Sequence, residues 1–248
     1  MRKVLSFIAF LTCLLLPFSV KAQDVLKVAA AANLLFPMQK IAKTYEKQTG
    51  TKIDLVFSSS GKLTALISKG APFDIFFSAD AKRPEYLAQK DICLPPKVYT
   101  YGVLAFWSKK KELCKAGWPE VLKKINSLAI ADPKLAPYGE AAVFALSKTS
   151  FKDSLKNKIR KAMTVSQAFQ WAESGNACGA LVSLSLAMSP RGQKGCFFKV
   201  PGAPPIKQKA CVVKRGKVEE AQKFLQFVLS KPGQEILSEY GYLPLRRK

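Results

Sequence analysis

The sequence predicts an α/β fold with largely parallel sheets. Three observations carry the prediction. Short apolar runs alternate with amphipathic segments of helical spacing, small polar turns separate the two, and the first run is continuous in the manner of a strand covered on both faces.

Taken in order, residues 25–32 form that first strand. Asn33 stands where a helix N-cap would, and Leu34, Leu35, Met38, Ile41, Ala42 and Tyr45 follow at helical spacing until Gly50 ends the segment. Residues 53–57 are a second strand, 58–61 a serine-rich turn, and Leu63, Leu66 and Ile67 mark a second helix closed by Gly70. A third unit repeats the plan with strand 73–77, the turn Ser78-Ala79-Asp80 and a short helix toward Leu87. In an open α/β sheet such turns gather at the carboxyl edge of the strands, where ligands bind. Residues 98–107 read as one long β-rich run leading from one lobe into the next. Beyond it Pro119 begins a helix, 128–131 is a strand, and a turn from Asp132-Pro133 to Pro137-Tyr138-Gly139 opens a helix through Leu146. A lysine-rich helix follows, then Thr164-Val165-Ser166 opening a helix over 167–173, and a strand over 179–184. A returning strand over 207–213 and helices over 218–229 and 232–240 finish the chain.

Residues 1–22 read as a secretory signal. Arg2 and Lys3 precede an apolar run over 4–20, and Val20-Lys21-Ala22 places small residues where a signal peptidase cuts. The run is short for spanning about 30 Å of hydrocarbon, and Pro17 interrupts it, which disfavours a membrane anchor. Cleavage leaves about 226 residues, enough for one large or two modest domains, and a soluble mature protein is expected. Cys93, Cys114, Cys178, Cys196 and Cys211 then meet an oxidising compartment. Five is odd, so at most two bridges form and one thiol stays free or pairs with another molecule. The absence of histidine excludes Cys/His zinc sites and every His-based triad. Cleavage also removes three cations and no acid, lowering the formal charge from +23 to +20. Such a charge suits a nucleic-acid or anionic-membrane partner, or the steering of a small anion. Because the lysines are scattered, a solvated cationic surface is the simpler reading, and secretion argues against nucleic acid.

A helix N-terminus presents unpaired N–H groups and a partial positive charge, and so binds anions without any full charge. Four turns place such donors at helix starts: Asn33, Ser58 to Ser60, Tyr138-Gly139, and Thr164 to Ser166. Each of them also has the ordinary reading of a cap. Ser60-Gly61-Lys62 is not a phosphate-cradling loop, because Val56 stands where that motif needs glycine. There is no GxSxG elbow, and Asp74 and Asp80 read as capping or structural carboxylates rather than an acid–base pair. An enzyme is not expected.

These segments together resemble a known family. Ala30-Ala31-Ala32-Asn33-Leu34, Phe57 to Leu63 with its three serines, Gly70-Ala71-Pro72-Phe73-Asp74 through Ser78-Ala79-Asp80, Ala131-Asp132-Pro133 through Tyr138-Gly139, Gly175-Asn176-Ala177, Leu181 to Ser185, and Tyr240-Gly241-Tyr242 are similar to the periplasmic molybdate-binding proteins of ABC transporters. The resemblance implies a two-lobed type II periplasmic-binding-protein fold, with mixed, mostly parallel sheets flanked by helices and ligand in the interlobe cleft. It assigns residues 1–22 to a signal peptide, 23–102 plus 207–248 to one lobe, and 103–206 to the other.

The family holds its dianion by neutral hydroxyls and backbone amides. Position by position, Asn33 falls at the first-loop polar ligand, with Ala32 beside it; Ser60 falls at the serine of the second turn, Tyr138 at the second-lobe contact, and Val165 at a backbone donor. Ser183 falls where some members carry a tyrosine that touches the anion. Many members have serine or threonine in place of Asn33, and Ala180 replaces a frequent glycine. The implied function is capture of molybdate or tungstate, without cofactor and without direct metal ligands, by a periplasmic monomer that serves a permease in the inner membrane. Rival readings are a same-fold receptor for sulfate, thiosulfate or phosphate, a secreted serine hydrolase acting through Ser59 or Ser60, and a cationic adhesion protein.

Overall fold

The computed structural model describes residues 25–151 and 154–245; the signal read over 1–22 lies outside the described residues. In chain order come β1 (Val25–Ala31), a 3-10 turn (Ala32–Leu34), α1 (Leu35–Thr49), β2 (Lys52–Ser58), α2 (Ser60–Ser68), β3 (Ile75–Phe77), α3 (Lys82–Gln89), β4 (Lys97–Gly102) and β5 (Leu104–Ser108). Then follow β6 (Leu128–Ala131), α4 (Pro137–Ser147), β7 (Ile159–Ala162), α5 (Val165–Glu173), β8 (Gly179–Ser183) and a single turn of helix, α6 (Leu184–Ala187). The chain closes with β9 (Cys196–Lys199), β10 (Ile206–Val212), α7 (Val218–Leu229) and α8 (Lys231–Glu239).

The strands make two five-stranded sheets, in the orders β2-β1-β3-β10-β4 and β7-β6-β8-β5-β9. Each is mixed. Three strands run parallel, as strand–turn–helix units demand, while β10 in one sheet and β5 in the other run antiparallel to both neighbours. Those two strands stand beside the connections between sheets, since β4 passes to β5 through Val103 and β9 returns to β10 through residues 200–205. The β-rich run over 98–107 is therefore two strands, one in each sheet. Neither half of 98–107 carries a charge, and both are largely buried, so hydropathy alone carries no mark of the change.

Both faces of the first sheet are covered. On one, Met38, Ile41 and Tyr45 of α1 and Phe224, Leu225 and Val228 of α7 pack on Val28, Ala30, Ile75 and Phe77. Tyr45, Phe224, Phe77 and Tyr99 form an edge-to-face series there with centroids 5.1, 5.9 and 5.3 Å apart. Leu63 and Ile67 of α2 and Leu87 of α3 cover the other face, against Ala29 and Phe76. The second lobe has one continuous core that also takes in Ala31, Ala32 and Ala79 from the first, so the lobes touch at the ends of β1 and β3.

Gly50 ends α1 in the left-handed conformation at φ 75°, as its position predicts. Three expectations differ from what is observed. Asn33 is not an N-cap; it lies inside the 3-10 turn, whose N-cap Ala31 makes no side-chain bond. Pro119 is followed by a 3-10 turn (Glu120–Lys124) instead of an α-helix. The lysine-rich segment is not a described helix either: 154–158 are turns leading into β7, an edge strand whose Arg160 and Lys161 are exposed. A cationic edge strand blunts unwanted pairing but lacks the alternation that identifies a strand. The other edge, β9, was also not anticipated; it is tied by a disulfide from Cys196 to Cys114. Cys93 and Cys211 are buried thiols and Cys178 is a partly exposed one.

Candidate functional site

Parallel register decides which turns meet. Ala31 at the end of β1 is level with Ser58 at the end of β2, and Ala30 is level with Phe77 of β3. The turns holding Asn33, Ser60 and Ser78-Ala79-Asp80 therefore stand side by side at one carboxyl edge. In the second sheet Ala131 is level with Ala162, and β8 flanks β6, which groups the turns leading to Tyr138, Val165 and Ser183.

The two edges face one another across the cleft. Gly61 donates its N–H to the Leu135 carbonyl at 2.9 Å, and Ser185 Oγ donates to the Asn33 carbonyl at 2.6 Å. A Cβ on Gly61 would stand 2.9 Å from the Leu135 oxygen, so this approach depends on glycine. At the rim, Glu140 accepts from Lys82 Nζ at 2.7 and 2.8 Å and from Arg83 at 3.4 Å, while Arg83 also pairs with Asp80. The partners are partly solvated, so the clasp contributes at most about 1 kcal/mol. Glu140→Gln is expected to speed ligand release by no more than about fivefold. Stopped-flow dissociation at low and high salt checks this, with the difference from the unaltered protein vanishing at high salt.

Within the cleft the polar groups form one buried network. Asn33 Nδ2 donates to Gln208 Oε1 at 3.0 Å and to Tyr242 Oη at 2.8 Å. Tyr99 Oη donates to Gln208 Oε1 at 2.7 Å, Gln208 Nε2 donates to Tyr138 Oη at 3.3 Å, and Tyr242 Oη donates to the Asn33 carbonyl at 2.9 Å. Ser183 Oγ joins through Ser185 Oγ at 2.9 Å. Ser60 Oγ accepts the Ala79 N–H at 3.0 Å, which leaves the serine's proton free to donate. At α5, Thr164 caps by accepting the Gln167 N–H at 3.0 Å, while Val165 at the first helical position is buried and α5 packs on the turn that holds Asn33. The first N–H groups of a helix have no partner within it.

All five residues that the sequence singles out thus lie at the facing edges, and Asn33, Tyr138 and Ser183 share the network. Its side chains are neutral, with no lysine or arginine among them. Burial pushes the Tyr99 and Tyr138 phenols well above the usual tyrosine range and raises Tyr242 too, so all three remain protonated donors. Asn33 Oδ1 is the buried side-chain polar atom without a partner among the described residues. Both Asn33 amide hydrogens are already used, so the donor it presents as it stands is its main-chain N–H.

Asp74 and Asp80 serve structure. Asp74 accepts the backbone N–H groups of Lys27 at 2.6 Å and Lys217 at 2.8 Å; Asp80 accepts Ser78 Oγ at 2.9 Å and the Arg83 N–H at 3.3 Å. Sequence reasoning missed Gln208, Tyr99, Ser185 and Tyr242 as members of the site. Tyr99 and Gln208 sit in strands, Ser185 in the single turn α6 and Tyr242 in the tail, and only long-range contacts bring them to the cleft.

Two α/β lobes closing on a buried, cation-free set of neutral donors define a solute receptor of the two-lobed kind. The family model described as bacterial extracellular solute-binding protein matches residues 26–243, and the chain belongs to that family. Among relatives, the molybdate-binding protein ModA of Rhodobacter capsulatus is 33% identical over 218 residues, covering 87% of this chain and 86% of the relative. ModA of Azotobacter vinelandii is 36% identical over 240 residues, covering 92% and 93%. The solved Azotobacter vinelandii periplasmic molybdate-binding protein superposes with a TM-score of 0.85 at 31% identity, covering 89% of this chain and 100% of that one.

Proposed function

We propose that this protein captures molybdate, or tungstate of nearly the same size, in the interlobe cleft and presents it to the membrane permease of an ABC importer. The observation that carries the reading is a buried cleft network of neutral polar groups, with Asn33, Ser60, Tyr138, Val165 and Ser183 at its facing edges, in a chain whose relatives at 33% and 36% identity are named molybdate-binding. A dianion held this way needs no counter-ion from the protein: partial charges at helix starts and hydroxyl protons share the load. Binding proceeds without turnover and without a cofactor, in a periplasmic monomer released from the signal over 1–22. Residues 23–102 plus 207–248 and residues 103–206 act as lobes that hinge at the two connections, and the ligand shifts the population toward the closed form.

Selectivity over sulfate rests on size. Donors set for longer metal–oxygen bonds leave a smaller tetrahedron short of hydrogen bonds, and each buried donor left unpaired costs about 1 to 3 kcal/mol. Isothermal titration of the mature protein with molybdate and then sulfate, at fixed ionic strength, tests the reading. One-to-one binding of molybdate that excess sulfate does not displace is expected. No heat and no thermal shift with molybdate overturns it, and a response to sulfate or phosphate alone moves the protein to a sister specificity.

A further inference from the structure

Gln208 lies at the centre of the cleft network, in the strand that re-enters the first lobe, and is wholly buried. Its two amide atoms face different lobes. Oε1 accepts from Asn33 and Tyr99 on the first-lobe side, while Nε2 donates to Tyr138 at the start of α4 in the second. Room for this contact comes from Gly102, where a Cβ would stand 2.2 Å from Tyr138 Oη and 2.3 Å from Gln208 Nε2.

A phenol has one proton to give and lone pairs to accept with. With Nε2 donating to its oxygen, Tyr138 has its acceptor role filled from within the protein and its own proton left over. The opposite orientation of the Gln208 amide would set Oε1 against Tyr138 and claim that proton. In the orientation observed, Asn33 Nδ2 and the Tyr99 hydroxyl converge on Oε1, and Nε2 is left facing Tyr138. Tyr99 Oη lies 2.7 Å from Gln208 Oε1 and 3.0 Å from the Ser78 carbonyl. Asn33 Nδ2 also donates to Tyr242 Oη, whose own proton reaches the Asn33 carbonyl at 2.9 Å or Ser185 Oγ at 3.2 Å.

We propose that Gln208 is a positioning residue of the site: it fixes the direction of the Tyr138 hydroxyl and so reserves that proton for the bound oxyanion. This rests on reading the cleft as an oxyanion site. Gln208 touches no ligand itself, and its influence passes through Tyr138 and Asn33. Because its strand also runs beside the connection between lobes, it joins the two halves of the donor set at the hinge side of the cleft.

The isosteric variant Gln208→Glu separates positioning from packing. Ionised, the new carboxylate offers only acceptors and takes the Tyr138 proton; protonated, its O–H donates to Tyr138 as Nε2 does. The ionisable groups around it are Tyr99, Tyr138 and Tyr242, with Asp80 beyond Tyr99, held by Ser78 and Arg83; Lys209 next in the strand is paired with Glu85. The phenols stay protonated, so molybdate affinity of the unaltered protein is expected to be flat between about pH 8 and about pH 5.5, while that of Gln208→Glu rises at least about tenfold over the same fall. A flat variant overturns the proposal. If Gln208→Glu does not fold, a double-mutant cycle of Gln208→Met with Tyr138→Phe decides. A loss of about tenfold from Gln208→Met in the native background, shrinking to about twofold beside Tyr138→Phe, supports it, and additive losses overturn it. An unaltered protein that binds none of molybdate, tungstate, sulfate or phosphate removes the anion-receptor reading and the role of Gln208 with it. Binding by the unaltered protein without the pH signature removes only the latter.

Discussion

Asn33→Asp is expected to abolish molybdate binding, with a loss of at least about a thousandfold. The substitution is nearly isosteric, so its effect is one of charge and donor count. Asn33 is buried and spends both amide hydrogens on Gln208 and Tyr242. A carboxylate there has no hydrogen to give, sets an acceptor against Gln208 Oε1, and puts a full negative charge in a network with no cation to offset it. A unit charge about 4 Å from one charge of the ligand costs roughly 4 kcal/mol at the effective dielectric of partly screened protein sites, so a single such pair already removes about three decades in affinity. Asn33→Ser keeps a donor and adds no charge, and should lose no more than about thirtyfold, in line with one or two hydrogen bonds. Titration calorimetry on both variants, with thermal melts of the ligand-free proteins to confirm folding, checks the contrast. Equal losses from the two would mean that volume, not charge, governs this position.

Opening the Cys114–Cys196 disulfide is expected to lower stability by about 4 kcal/mol, since the bridge closes a loop of 82 residues and the constraint on the unfolded chain grows with loop length. For a chain of this size that corresponds to a fall of roughly 10 °C in melting temperature. The bridge has a clear structural task. It anchors β9, an edge strand whose residues are only half-buried, to the 3-10 turn Lys111–Ala116 on the same side of the sheet. Neither cysteine joins the cleft network, so Cys114→Ser with Cys196→Ser should leave anion affinity within about twofold once measured well below the lowered transition. A scanning calorimetry trace with and without reductant reads the first effect and titration at low temperature reads the second. An affinity loss that tracks the stability loss would show that β9 communicates with the cleft.

The relation between sequence and structure differs from one part of the protein to another. β1, β2, β6 and β8 and the helices α1, α5, α7 and α8 stand within a residue or two of where apolar spacing and turn residues put them. Those signals are local, arising from helical period, continuous buried runs and glycine at a left-handed terminus. β7, β9 and the division of 98–107 were not legible. Edge strands carry cations or half-buried aromatics in place of a clean pattern, and a change of sheet inside an apolar run alters neither half's hydropathy.

The site divides the same way. Asn33, Ser60, Tyr138 and Val165 were readable because each follows a strand in a strand–turn–helix unit, and a parallel sheet sends all such turns to one edge. By itself, then, the sequence determined the α/β class, the turns that meet at the cleft, and the exclusion of histidine chemistry. Tertiary structure alone decided that Asn33 is no cap, that its amide hydrogens belong to Gln208 and Tyr242, and that Gln208, 175 residues away, meets Asn33 on one side and Tyr138 on the other. The physical reason is range: capping and periodicity are set by neighbours a few residues apart, whereas the direction of a buried hydroxyl proton is set by whichever acceptors and donors the closed fold brings around it.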